Sequence, residues 1–246
     1  MPKTGRPVTA DRIADVAAAA RILAARGVVD GFGHVSMRHP DAPDRYLMSR
    51  ALAPALVTPS DIVEYDLESE ACDPAAPKGF LERFIHGQIY KARPDVCAVV
   101  HSHSPSVIPF GLTKIPMQAC FHNAAFLAQG VPVFDIACDH GATDMLVSDN
   151  DKGVALAECL SDKPVALMRA HGSVACGPSL EVAVFRAIYT EVSARVQHWA
   201  LALAEDGEEL ATLSKEEGVL ADVPNQTAGL RAWDLWRTEI REQAGW

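Results

Sequence analysis

The sequence predicts an α/β fold of three layers, with a central mixed or mainly antiparallel sheet covered by helices on both faces. Two patterns carry that expectation. Runs with apolar residues at helical spacing alternate with short strand-like runs, and in the first half the strand-like runs are joined by glycine- and proline-marked loops, as in an antiparallel meander. Size completes the argument. The 246 residues, 49% apolar and 22% charged, suffice for one substantial core, so residues 1–246 are expected to form a single domain with a helical C-terminal tail from about residue 205.

Each element has a local cause. Thr9 can cap a first helix in which Ile13, Val16, Ala20 and Leu23 recur at helical spacing and Gly27 supplies the stop. Val28 to Met37 reads as a strand around Gly31 and Gly33, followed by strands at Tyr46-Leu47-Met48 and Ile62-Val63-Glu64-Tyr65. Gly79 opens a helix with an apolar stripe of Leu81, Phe84, Ile85 and Ile89 that ends before Pro94. The run Cys97-Ala98-Val99-Val100 then reads as a buried strand.

In the second half, Asn123 to Gln129 is helical in character, Val131 to Phe134 is strand-like, and Asp151 to Cys159 reads as a helix. Val165 to Arg169 forms another strand, and Gly177-Pro178-Ser179 forms a turn whose Ser179 caps a long helix from Leu180 to about Leu203. Its stripe is Val182, Phe185, Ile188, Tyr189 and Val192. Beyond Glu205 the chain is acidic, then amphipathic around Trp233 and Trp236, which can pack on the body or on a neighbouring subunit.

Composition excludes several classes of function. A net charge of -10 disfavours nucleic acid and anionic membrane surfaces, both of which require clustered Lys and Arg. The segment Met1 to Pro7 lacks the apolar core of a signal peptide and no stretch is long and apolar enough for a bilayer, which predicts a cytoplasmic protein. Six cysteines without C-x-x-C spacing read as reduced thiols. No G-x-G-x-x-G or P-loop is present, so neither a dinucleotide nor ATP is implied.

The chemistry centres on His101-Ser102-His103, at the end of a predicted strand. Strand residues two apart point to one side, so both imidazoles can face one ion. A single H-x-H more often satisfies ordinary hydrogen bonds, but His171 ends another strand-like run and is followed by Gly172. Three imidazoles that leave a position open are the pattern of a catalytic metal site. Glu82 stands in the first turn of the expected helix and shares a face with His86. A carboxylate at a helix start is favoured by the dipole alone, so Glu82 acquires a functional reading only beside the histidines. Asp139-His140-Gly141 and Asp144 read as loop residues, and His39 and His198 as packing or surface residues.

Together, Gly33-His34-Val35-Ser36, Thr58-Pro59-Ser60, Glu82, the run from Ala92-Arg93-Pro94-Asp95 to His101-Ser102-His103-Ser104-Pro105, and Arg169-Ala170-His171-Gly172 resemble the class II aldolase/adducin family, collinearly from about Arg12 to Arg195. The resemblance implies an α/β/α domain assembled as a homotetramer with sites between adjacent subunits. It also implies a divalent ion, usually zinc and in some members manganese or cobalt, held by His101, His103 and His171. Glu82 would be the acid/base and a possible fourth ligand. Breaking a carbon-carbon bond beside an oxygenated carbon leaves an electron pair that a chelated cation stabilises.

Departures from the pattern bear on the substrate. Sugar-phosphate aldolases and pentose-phosphate epimerases of the family resemble one another in an Asn within G-N-x-S and a Ser-Ser pair before the glutamate, both of which hold phosphate. Here His34 replaces the Asn, and Lys78-Gly79-Phe80-Leu81 precedes Glu82. The stretches Glu82 to His86, His101 to Gly111 and Phe121 to Leu127 look most like the branch that decarboxylates dihydroxyphthalates and hydroxy-methylpyridine-dicarboxylates. The expected substrate contacts are His34, Ser49, Arg50 and His122, with Arg38, Lys78 and Arg83 as further candidates to clamp carboxylates. The expectation is thus a metal-dependent lyase of aromatic catabolism that acts on a small molecule. A zinc-dependent sugar-phosphate aldolase or epimerase is the alternative, and an adducin-like interaction domain is the non-enzymatic one.

Overall fold

The computed structural model describes residues 8–205 and 207–245, so the Met1 to Pro7 segment lies outside the described residues. Its elements are α1 (Ala10–Ala25), β1 (His34–Arg38), β2 (Arg45–Ser49), β3 (Ile62–Asp66), α2 (Phe84–Ala92), β4 (Ala98–Ser102), β5 (Val133–Phe134), α3 (Ile136–His140), α4 (Asn150–Leu160), β6 (Val165–Met168), β7 (Gly172–Gly177), α5 (Leu180–Leu203) and α6 (Lys215–Ala244). Short 3-10 turns, the longest over His122–Gln129, join several of them.

The strands form one seven-stranded sheet in the order β3-β2-β1-β4-β7-β6-β5. All neighbours are antiparallel except β5 and β6, which are parallel. Because side chains alternate across a strand, each strand feeds two cores. Val35, Met37, Leu47, Val100, Leu167 and Ala175 pack with α1, α5 and α6, whereas Tyr46, Met48, Tyr65, Val99, Met168 and Val174 pack with α2 and α4. The expected three layers and mainly antiparallel sheet are present.

Helix ends follow the sequence signals closely. Thr9 accepts a hydrogen bond from Arg12 N, and Ser179 accepts one from Val182 N at the start of α5. The C-terminal tail is one long helix, opened by a Ser214/Glu217 capping box, and its Trp233, Trp236 and Ile240 belong to the core on the α1 side. No described helix is long and apolar enough to cross a membrane.

Several expectations need correction. The strand expected from Val28 begins only at His34, because Gly33 adopts φ +97° and breaks the extended run. The helix expected from Gly79 begins at Phe84, so Glu82 lies in the turn before it and Leu81 is exposed rather than part of a buried stripe. That turn is held from outside: the Arg83 carbonyl accepts from Tyr46 Oη and Ser69 Oγ, and Arg83 Nε donates to the Ser69 carbonyl. Strand β7, a segment to which the sequence pattern assigned no element, pairs with both β4 and β6. Helix α3 is also present, capped by Asp135, where the sequence read as a loop.

Candidate metal centre and its cavity

The sheet topology brings the histidines together. β1 and β4 pair so that His34 stands directly opposite His101, and β4 pairs with β7 so that Ser102 stands opposite Ser173. His103 leaves the end of β4, and His171 occupies the tight turn between β6 and β7. Gly172 makes this junction possible: a Cβ there would lie 2.0 Å from the Ser102 carbonyl oxygen. Two residues flanking the site, Ala170 at φ 54° and Met145 at φ 68°, hold left-handed conformations that L side chains seldom adopt.

Four ligand atoms from Glu82, His101, His103 and His171 lie within 4.8 Å of one another. His103 Nε2 is 3.1 Å from His101 Nε2 and 3.0 Å from His171 Nε2. Glu82 Oε2 is 3.5 Å from His101 Nε2 and 3.4 Å from His171 Nε2, while its Oε1 accepts from the Val147 amide at 3.0 Å.

The outer nitrogens show what such a set can hold. His101 Nδ1 faces the Ser173 carbonyl at 3.1 Å, and His171 Nδ1 faces the Met145 carbonyl at 3.0 Å. Carbonyls only accept, so both Nδ1 atoms carry the proton and both Nε2 atoms present lone pairs to the centre. A single N–H on His103 satisfies one of them at most. Converging lone pairs beside a carboxylate fit a divalent cation, and the spacings approach the roughly 3.3 Å between nitrogens of a tetrahedral zinc with bonds of about 2.0–2.1 Å. The residues present therefore fit the metal that the sequence implied.

Electrostatics agree with that arrangement. Burial is the largest influence on Glu82 and raises its pKa, but hydrogen bonding and charge from His101 and His171, in the form that carries a proton on Nε2 as well, outweigh it and hold the carboxyl well below the usual range. Burial and the adjacent imidazoles push His103 down to about 4, which favours the neutral ligand form. Burial also lowers His171, yet the contact with Glu82 outweighs it and leaves its pKa raised.

Beside the four ligands opens a cavity of about 440 Å³, lined by Phe32, His34, Lys78, Phe80, Leu81 and Leu146 together with Glu82, His101 and His103. Its walls are largely apolar and aromatic, and Lys78 is the cationic side chain among the lining residues.

Of the expected substrate contacts, His34 lines this cavity, and Ser49, Arg50 and His122 do not line it within the single chain. Ser49 is buried in β2 opposite Ile62, and Arg50 Nε is paired with Asp61 Oδ1 at 2.7 Å. His122 is exposed, and its carbonyl accepts from Asn225 Nδ2 of α6 at 2.7 Å. The guanidiniums of Arg38 and Arg83 donate to the backbone carbonyls of Val96, Tyr90 and Arg93 and of Ser69 and Phe80. His86, expected to share a face with Glu82, pairs with His34. Phe32, Phe80 and Leu146 carry no signal in the sequence, because they stand in irregular segments where periodicity says nothing.

The likeness to decarboxylases and class II aldolases makes this chain an enzyme of the lyase type. Residues 14–198 match the Class II Aldolase and Adducin N-terminal domain, and the chain belongs to that family. It is 37% identical to decarboxylase tropJ of Talaromyces stipitatus, over 89% of this chain and 90% of that protein. It is 30% identical to 3,4-dihydroxyphthalate decarboxylase of Arthrobacter keyseri, over the full length of both. Among solved structures, an aldolase II superfamily protein from Pseudomonas syringae superposes with a TM-score of 0.79 at 21% identity, over 98% of this chain and 96% of that one, a likeness of fold.

Proposed function

We propose that the protein is a divalent-metal-dependent decarboxylase of a hydroxylated aromatic or pyridine dicarboxylate in a catabolic pathway. The observation that carries this reading is the cavity: aromatic and apolar walls suited to a flat ring adjoin the His101-His103-His171-Glu82 cluster, with Lys78 available for a carboxylate. The decarboxylase relatives support it. His34 in place of a phosphate-binding Asn weighs against a sugar phosphate.

His101, His103 and His171 would hold the ion, with Glu82 as a further ligand when no substrate is bound. Zinc is the first candidate, and manganese or cobalt the next. The ion would supply Lewis acidity for the electron pair left on the ring when carbon dioxide departs. Glu82, held ionised, takes the proton of the ring hydroxyl as substrate binds. It then returns that proton to the ring carbon from which the carboxylate has left, so charge and atoms balance. Phe32 and Phe80 keep the ring in an apolar slot, and Lys78 holds the carboxylate that is retained. We read the whole chain as one domain, acting in the cytoplasm as a homotetramer whose neighbouring subunits complete the mouth of the cavity.

The test is turnover of metal-reconstituted protein on a panel of dihydroxyphthalates and hydroxypyridine dicarboxylates alongside ketose phosphates. Metal-dependent release of carbon dioxide is the expected result. Cleavage of the ketose phosphates alone would overturn the proposal in favour of an aldolase.

A further inference from the structure

Behind the cavity wall runs a buried hydrogen-bond chain that the metal cluster does not use. His34 Nδ1 lies 2.6 Å from His86 Nε2, His86 Nδ1 lies 2.6 Å from Ser36 Oγ, and Ser36 Oγ lies 2.7 Å from Tyr90 Oη. Its placement follows from periodicity: His34 and Ser36 are two apart on β1, and His86 and Tyr90 are four apart on α2, so each pair shares a face. All four residues are buried, His86 and Ser36 completely.

Donor counting gives the chain one direction. Among the described residues, Tyr90 Oη has Ser36 Oγ as its hydrogen-bond partner and no other. If Ser36 donated to Tyr90, the phenolic proton would be a buried donor without an acceptor, a state that folded proteins avoid. Tyr90 therefore donates to Ser36, Ser36 donates to His86 Nδ1, and His86 donates from Nε2 to His34 Nδ1. His34 Nδ1 is then the acceptor, and its proton sits on Nε2. That Nε2 has no hydrogen-bond partner among the described residues, and the ring lines the cavity beside Phe80 and opposite His101.

We propose that the Tyr90-Ser36-His86 chain locks His34 as its Nε2–H tautomer, so that His34 presents a fixed neutral donor to an anionic oxygen of the substrate. His34 is then a specificity-determining contact, and His86, Ser36 and Tyr90 are positioning residues behind it. The role toward substrate rests on the proposed decarboxylation of an aromatic dicarboxylate; the tautomer does not. A neutral donor aimed from the strand beside the ligands selects a carboxylate or phenolate oxygen on a ring.

The tautomer is read directly from two-bond 1H–15N spectra of metal-free protein labelled with 15N-histidine. His34 and His86 are expected as Nε2–H, in contrast to His101 and His171, which are expected as Nδ1–H. Ser36→Ala removes the hydroxyl that donates to His86, so His34 should lose its single tautomer, and Ser36→Thr should restore it. Binding is probed with the phthalate dianion by calorimetry on zinc-loaded protein. His34→Ala should weaken it by about 10- to 100-fold, the size of a hydrogen bond to a charged group, and His34→Gln should recover part of the loss. Nδ1–H at His34 in the wild type, or unchanged tautomers in Ser36→Ala, would overturn the lock. Absent or His34-independent phthalate binding would overturn the donor role. The predicted tautomers and His34-dependent binding, with no carbon dioxide released from any dicarboxylate, would sink the decarboxylase reading and leave the tautomer lock and the anion-donor role of His34 standing.

Discussion

Gly172→Ala tests how the backbone builds the metal centre. The added Cβ would stand 2.0 Å from the Ser102 carbonyl oxygen and 3.2 Å from His103 Cα, while ordinary contact begins at 3.4 Å. The start of β7 must therefore move from β4 by roughly 1 Å, since both near atoms belong to backbone that cannot rotate away. Movement on that scale stretches the 3.1 Å contact of His101 Nδ1 with the Ser173 carbonyl beyond hydrogen-bond range. Overpacking of this kind costs about 1–3 kcal/mol, and the lost hydrogen bond about 1 kcal/mol more. For a chain of this size the melting temperature should fall by about 4–16 °C. Loss of the group that orients a ligand histidine should weaken metal binding by about 10- to 100-fold. Calorimetry of the metal-free protein and competition against a chelator measure the two effects. Gly31→Ala, where a Cβ meets nothing within 4 Å, serves as the stability control. A Gly172→Ala protein that melts with the wild type and holds metal as tightly would show that the close approach at Gly172 does not position His101.

Four further outcomes are expected. Glu82→Gln should retain metal on the three histidines and lose turnover by about 10²- to 10⁴-fold, and an undiminished rate would remove Glu82 from proton transfer. Ala170→Gly relieves a left-handed residue, so the melting temperature should rise by about 2–4 °C; a fall would show that Ala170 is not strained. His86, which burial pushes down to about 3, stays neutral in the folded chain while its unfolded form titrates near the ordinary 6.5. The unfolded state then binds more protons, so this contribution to stability is present above pH 6.5 and declines by up to about 1.4 kcal/mol per pH unit between 6.5 and 3. Urea midpoints of metal-free wild type and His86→Gln at pH 7.5, 6 and 5 measure it, and equal slopes for the two proteins would contradict it. The Cys176 thiol, pushed up to about 12 by burial, should resist alkylation at pH 8 until the chain unfolds, and rapid labelling of native protein would count against that environment.

The part of the site legible in the sequence is the part set by short-range geometry. His101 and His103 announce themselves because a strand places residues two apart on one side, and helices with side-chain caps, such as α1 and α5, appear where their signals lie. Glu82 was readable as a residue but not as a conformation, because the groups that hold it in a turn, Tyr46 and Ser69 around Arg83 and the Val147 amide, are distant in sequence. Strand β7 was hidden for a similar reason: Gly172 and Gly177 look like turn residues, and only the pairing with β4 shows that the first glycine serves close approach. Charge alone does not reveal that Arg38 and Arg83 donate to backbone carbonyls. Lys78 stood out only beside the residues that precede Glu82, and Phe32 and Phe80 had no periodicity to mark them.

In the proposed enzyme His101, His103, His171 and Glu82 hold one divalent ion at the edge of an aromatic cavity. X-ray absorption at the zinc edge of protein reconstituted with one equivalent of zinc tests it most directly. Three imidazole nitrogens at about 2.0–2.1 Å are expected, with oxygen completing the shell, reduced to two imidazoles in His103→Ala. Sulfur in the first shell, or a wild-type spectrum with fewer than three imidazoles, would contradict it.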